Sequence, residues 1–94
     1  MAMNKYLVEF LGTTFFLYVI VATGNALAIG AALAFVIFLG GKISGGNFNP
    51  AVSVMMMMHG KLSTQDCVMY IIAQILGGMS VSYTHLTLPT ILLV

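Results

Sequence analysis

Three long apolar runs fill most of this chain, from Tyr6 to Ala22, from Ala26 to Gly41 and from Cys67 to Met79, and none holds more than one charged side chain. A helix needs about 20 predominantly apolar residues to cross the hydrocarbon core. Runs of 17, 16 and 13 residues, each able to extend into its flanks toward that length, commit the chain to a multi-pass membrane fold. Composition points the same way: 61% of the residues are apolar and 5% charged, whereas water-soluble domains carry about a quarter charged residues. The charged residues are Lys5, Glu9, Lys42, Lys61 and Asp66, with no arginine, so neither a nucleic-acid patch nor a phosphate clamp can be assembled. Cys67 is the single cysteine. It cannot close an intrachain disulfide and has no neighbouring Cys or His to complete a metal site; no metal and no cofactor are expected. The 94 residues leave room for three spans and one connection, half of an ordinary small-solute channel or transporter, and the chain reads as part of something larger.

The first helix is expected over residues 5–22, ended by the breaker Thr23-Gly24-Asn25. A secretory signal is the rival reading, because Lys5 precedes an apolar stretch and Ala26-Leu27-Ala28 resembles a cleavage site; Glu9 inside the run argues against it. The second helix is expected over residues 26–42. Its Ala26, Gly30 and Ala34 recur every four residues, a small-residue stripe that would let another helix approach closely in lipid. The third long helix, expected over residues 64–80, opens at Ser63-Thr64-Gln65-Asp66, where Ser63 can cap and Asp66 stands in the capping-box position.

Between the second and third long helices lies Ile43-Ser44-Gly45-Gly46-Asn47-Phe48-Asn49-Pro50, too polar and glycine-rich to face lipid as a helix. The apolar run that follows stops at His59-Gly60-Lys61. Residues 50–59 would make a helix of roughly 15 Å, about half the hydrocarbon thickness. Asn49 is a favoured N-cap and Pro50 a favoured first helical residue. The spacing therefore predicts a re-entrant half-helix starting near the midplane, with its positive end and the carbonyls of Gly45 to Phe48 beside a water-filled path. Such an end repels cations and protons, while the Asn49 amide can donate to a neutral molecule. All three lysines fall on one side of this arrangement, which predicts a cytoplasmic N-terminus.

The stretch Ser44-Gly45-Gly46-Asn47-Phe48-Asn49-Pro50-Ala51-Val52 resembles the first Asn-Pro-Ala loop of the major intrinsic protein (aquaporin and aquaglyceroporin) family. Glu9-Phe10-Leu11-Gly12-Thr13 resembles that family's helix-one motif, and Tyr70-Ile71-Ile72-Ala73-Gln74-Ile75-Leu76-Gly77-Gly78 its helix-three motif. The resemblance implies an all-α membrane protein with three transmembrane helices and one re-entrant half-helix, the first half of an inverted repeat. It implies a passive channel for water or small uncharged solutes such as glycerol, a missing C-terminal half, and a homotetrameric parent. Asn49 would be the pore amide donor, with Pro50 and Ala51 meeting the second loop. Gly45, Gly46, Asn47 and Phe48 would supply the pore carbonyls. Ile29 would occupy the filter position where many water-selective members have an aromatic residue, a departure that puts water selectivity in question. Lys42 and Asn47 stand where many relatives have histidine.

For Glu9 the resemblance favours a buttress that accepts hydrogen bonds from the re-entrant backbone; snorkelling to the interface is the plain alternative. His59 reads as a capping or interfacial residue, Asp66 as a cap, and Gln74, Gly77 and Gly78 as helix-packing residues, with Gln74 bonding across an interface. No nucleophile set is suggested by spacing, so an enzyme is the least supported class. Residues 81–90 depart from the family's pattern and resemble a translated frame of a sequencing adapter, which extends the expectation of non-native sequence over residues 81–94. They are expected to be a non-native tail, with Ser82, Thr84 and His85 poor continuations of a lipid-facing helix and Pro89 a stop. Residues 1–80 are then the channel half, and are not expected to conduct alone. A small membrane interaction protein docking through Ala26, Gly30 and Ala34 is the reading from a different class.

Overall fold

The structure is a computed structural model that describes the backbone of residues 2–93 and the side chains of residues 3–87. It is all-helical: α1 (Ala2–Thr23), α2 (Ala26–Ser44), α3 (Pro50–Met58) and α4 (Thr64–Leu93). Three segments, Met3–Thr23, Ala26–Ser44 and Thr64–Thr87, are long and apolar enough to cross a bilayer. The burial pattern inverts that of a soluble protein. Glu9, Thr13, Ser44, Asn47, Ser53 and Gln74 are buried, whereas Leu27, Phe38, Met58 and Leu86 lie open. In lipid this is the favourable arrangement, because polar groups must find partners inside the protein.

Local chemistry sets the breaks. Gly24 takes a positive φ after α1, and Asn25 caps α2 by accepting from the Ala28 N–H at 2.9 Å. Gly45, at φ 90°, closes α2 in the left-handed conformation that glycine adopts without penalty. Asn49 caps α3, with Pro50 at its first position. Ser63 accepts from the Asp66 N–H at 3.0 Å, so the start of α4 is capped. The expected capping box goes no further: the Asp66 carboxylate turns to α1, accepting from Lys5 Nζ at 2.6 Å and Tyr6 OH at 2.7 Å. A carboxylate gains more from an ammonium partner than from a neutral backbone N–H.

α1 is central, packed on one side by α2 and on the other by α4, and α3 lies on α4. α1 and α4 run parallel, since Lys5 pairs with Asp66 while Gly77 abuts Phe10 and Thr14. The α1–α2 contact does not use the Ala26, Gly30 and Ala34 stripe. It uses Ala32, Val36 and Gly40, all buried, and a Cβ at Gly40 would sit 2.5 Å from Val8 Cγ1. Two residues of offset rotate a helix face by about 200°, so the expected stripe points away from α1. Ala26, Gly30 and Ala34 are exposed, and a Cβ on Gly30 would meet nothing.

α4 also differs from expectation. It continues past Ser80 through Pro89 to Leu93 rather than stopping. The hydroxyls of Ser80 and Thr87 bond back to the carbonyls of Leu76 and Tyr83 at 2.9 Å each, so these polar residues are satisfied within the helix. Pro89 falls in the final turns, where its missing N–H removes a single intrahelical bond. Of the expected non-native tail, residue 94 and the side chains of 88–93 lie outside the described residues.

Candidate functional site

α3 is a nine-residue helix, about 14 Å long. The chain leaves α2 at Ser44, level with Glu9, and re-enters at α4, whose Asp66 meets Lys5. Both ends of the intervening segment thus lie at the same end of the bundle. Between them the segment runs inward. Ser53 meets Gln74, about 15 Å along α4 from its start, before His59 to Ser63 return. A helix of half-bilayer length with its N-terminus deep in the bundle is the result.

Glu9 organises this segment. Its carboxylate is 0% exposed. Oε2 accepts from Ser44 Oγ at 2.7 Å and the Asn47 N–H at 3.1 Å, and Oε1 accepts from the Phe48 N–H at 2.7 Å and Gln74 Nε2 at 2.8 Å. Four donors around one carboxylate offset the cost of removing it from water. Ser53 Oγ, also fully buried, receives Asn47 Nδ2 at 3.1 Å and Gln74 Nε2 at 2.9 Å, joining the half-helix to the loop before it and to α4. Tyr70 OH donates to the Ser44 carbonyl at 2.6 Å and fixes the exit from α2. Two buried polar atoms, Thr13 Oγ1 and Gln74 Oε1, have no partner among the described residues.

The loop backbone is held in a strained form. Phe48 has φ 52°, a conformation that costs a side-chain-bearing residue about 1–2 kcal/mol. Its N–H is anchored on Glu9, and its ring lies over Gly12, where a Cβ would come within 2.2 Å of Phe48 Cε1. Only glycine at position 12 leaves room for that ring. The side of the segment away from Glu9 is open. Gly45, Asn49, Pro50 and Ala51 are exposed, and the carbonyls of Gly45, Gly46, Asn47 and Phe48 accept none of the hydrogen bonds among the described residues. Asn49 Oδ1 is engaged by the Ala51 N–H at 2.7 Å, and its Nδ2 makes no hydrogen bond among the described residues. The exposed residues Gly45, Asn49, Pro50 and Ala51 thus lie at the positive end of α3, beside a stretch whose carbonyls have no partner among the described residues.

The residues singled out from sequence divide into three groups. Glu9, Gly45, Gly46, Asn47, Phe48, Asn49, Pro50, Ala51 and Gln74 come together here. Gly77 packs elsewhere, between α1 and α4, where a Cβ would lie 3.1 Å from the Phe10 carbonyl. Ile29, half-buried, lies about 22 Å along α2 from Ser44, toward its other end, and Ala26, Gly30 and Ala34 face outward. Sequence reasoning passed over Ser53 and Ser44, and gave Tyr70 no role. Ser53 had a signal: it is the sole polar residue of α3, four positions after the cap Asn49. Ser44 and Tyr70 had none.

Residues 1–89 match the family model for the major intrinsic protein. The chain is 43% identical over 89 aligned residues to glycerol uptake facilitator protein-like 6 of Lactiplantibacillus plantarum, covering 85% of this chain and 41% of that protein. It is 41% identical over 56 residues to aquaglyceroporin AqpS of Rhizobium meliloti, covering 60% of this chain and 24% of the relative. It is 36% identical over 90 residues to the probable aquaporin PIP2-6 of Oryza sativa subsp. japonica, covering 76% and 32%. The chain spans less than half the length of each of these relatives. No solved structure matches it. The family consists of membrane channels rather than enzymes. A family match over nearly the whole chain, together with three apolar spans and one short helix, makes this a multi-pass integral membrane protein of the major intrinsic protein family.

Proposed function

We propose that this chain is the N-terminal half of a passive channel for water or small uncharged solutes such as glycerol. The observation that carries the reading is the two-sided half-helix entry: Glu9 grips the backbone of Asn47 and Phe48 from one side, and the Asn49 amide stands free on the other. A neutral molecule carrying hydroxyl or water oxygens can accept from Asn49 and donate to the neighbouring carbonyls. A cation meets the positive end of α3 and is repelled. Asn49 is the pore donor, Pro50 and Ala51 the contact surface for a second loop, and Ile29 a filter residue that favours no strict water selectivity. The lysines put the N-terminus in the cytoplasm, and the parent is a homotetramer. Residues 81–94 are read as a non-native tail on the adapter resemblance of residues 81–90 alone, against a family match that runs on to residue 89.

On this reading the chain alone does not conduct, because half of the pore wall is absent and unpaired carbonyls would meet lipid at several kcal/mol each. Stopped-flow swelling of proteoliposomes tests it in two steps. The chain alone gives no flux above lipid background. Fused at Ser80 to the C-terminal half of the Lactiplantibacillus plantarum relative, it gives water or glycerol flux that Asn49→Asp alters. Robust flux from the chain alone contradicts the half-channel reading, and a folded, inserted fusion without flux contradicts the channel role. The exposed stripe Ala26, Gly30 and Ala34 favours a second reading, a membrane interaction protein that docks through α2. Stoichiometric co-purification of a partner, abolished by Gly30→Leu and untouched by Asn49→Ala, would select it.

A further inference from the structure

The cytoplasmic-side end of α3, remote from the Asn49 site, carries soft ligands with no assigned role. Residues 55–58 are four consecutive methionines, followed by His59. Positions 55, 58 and 59 stand at i, i+3 and i+4, where side chains share one helix face with Cβ atoms about 5–6 Å apart. Met55 and Met58 are 45% and 77% exposed, and His59 is exposed as well. Both thioethers are open on that face rather than enclosed between helices, so their sulfurs are accessible. His59 adds a directional feature. Its Nδ1 lies 3.2 Å from the Met55 carbonyl; in the tautomer that donates there, the Nε2 lone pair is free and points outward. A ring nitrogen that donates to a backbone carbonyl while the other stays open is the usual preparation of a histidine ligand. The carbonyls of Met55, Met56 and Met57 are already taken by the N–H groups of His59, Lys61 and Gly60, so hard oxygen ligands do not compete. The negative end of the α3 dipole favours a cation at this place.

We propose that Met55, Met58 and His59 form a binding site for a soft monovalent cation, Cu(I) or Ag(I). Thioether sulfur and neutral imidazole select such ions over the hard cations that carboxylates and carbonyls hold. The flexible Met side chains supply two sulfurs from one face, and His59 Nε2 supplies the third ligand. The proposal is independent of the channel reading, since it uses no residue of the Asn49 site.

Ag(I) is the probe, applied to the detergent-purified chain in a Cys67→Ala background so that the buried thiol cannot capture the ion. Two readouts are taken: bound Ag(I) per chain by equilibrium dialysis, and the methyl resonances of the eight methionines by 13C-methyl NMR. One equivalent binds and shifts chiefly the methyls of Met55 and Met58. Met55→Leu with Met58→Leu, and separately His59→Gln, weaken binding by about tenfold or more, while Met69→Leu with Met79→Leu leaves it unchanged. Far-UV circular dichroism confirms that each variant keeps its helices. No uptake by the Cys67→Ala chain, shifts spread evenly over all methionine methyls, or unchanged affinity in the folded Met55→Leu, Met58→Leu variant overturns the proposal.

Discussion

The loop and half-helix from Ser44 to Met58 have two sides built on opposite rules. On the inner side Ser44, Asn47, Phe48 and Ser53 are buried, and Glu9, Gln74 and Tyr70 engage their polar groups. On the outer side Gly45, Asn49, Pro50 and Ala51 are exposed, and backbone acceptors are left unpaired. The two sides belong to one short stretch of chain, so the rigidity of the first sets the geometry of the second. Polar backbone at membrane depth is tolerable only when it is held in place and beside water. The inner side does the holding, and on the proposed function the outer side is the one that meets passing molecules.

Substitutions can separate the two sides. Glu9→Ala removes the acceptor of four donors and carries the largest expected penalty, about 4 kcal/mol in reversible unfolding in detergent; hydrogen exchange at the Asn47 and Phe48 amides should rise with it. If those amides stay protected, Glu9 is not what holds the loop. Gly12→Ala comes next at about 2 kcal/mol, because its methyl drives into the Phe48 ring, and thermal unfolding should report the loss. Asn49→Ala forfeits a helix cap, about 1 kcal/mol, and leaves the inner network intact. Loop protection should be near native while the outer donor is gone, so a large loss of protection would show that the two sides are not separable. Thr13→Val has the smallest effect: its hydroxyl is buried without a partner, so a methyl of similar shape should be neutral or slightly stabilising, as read from the same melts.

Much of this architecture is legible from local signals. Apolar run length gives the three spans, and Asn49-Pro50 gives the start of α3, because capping depends on residues within one turn. What escaped depended on distant partners. Asp66 reads as a cap until Lys5 and Tyr6 are brought beside it by the parallel packing of α1 and α4. Ala26, Gly30 and Ala34 have the spacing of a packing stripe, but the face that meets α1 was decided by Gly12, Gly40 and the bulk of Phe48. α4 continues past Ser80 despite its polar residues, and the Ser80 and Thr87 hydroxyls show how such residues are tolerated inside a helix, by bonding back to carbonyls one turn earlier. Ser53 shows the same limit: its neighbours in sequence are apolar, and its partners come from the loop and from α4.

The depth of α3 is the claim on which the channel reading stands, and spin labelling in bilayers measures it most directly. Nitroxides placed singly at Ala51 and Met58, in a Cys67→Ala background, are compared by power saturation with oxygen and with a water-soluble nickel reagent. Ala51 should report mid-bilayer depth together with access to the nickel reagent, and Met58 a depth about 10 Å shallower, as the rise along α3 requires. Equal depths at the two positions would mean that α3 lies flat on the membrane surface and would contradict the half-helix on which the channel reading is built.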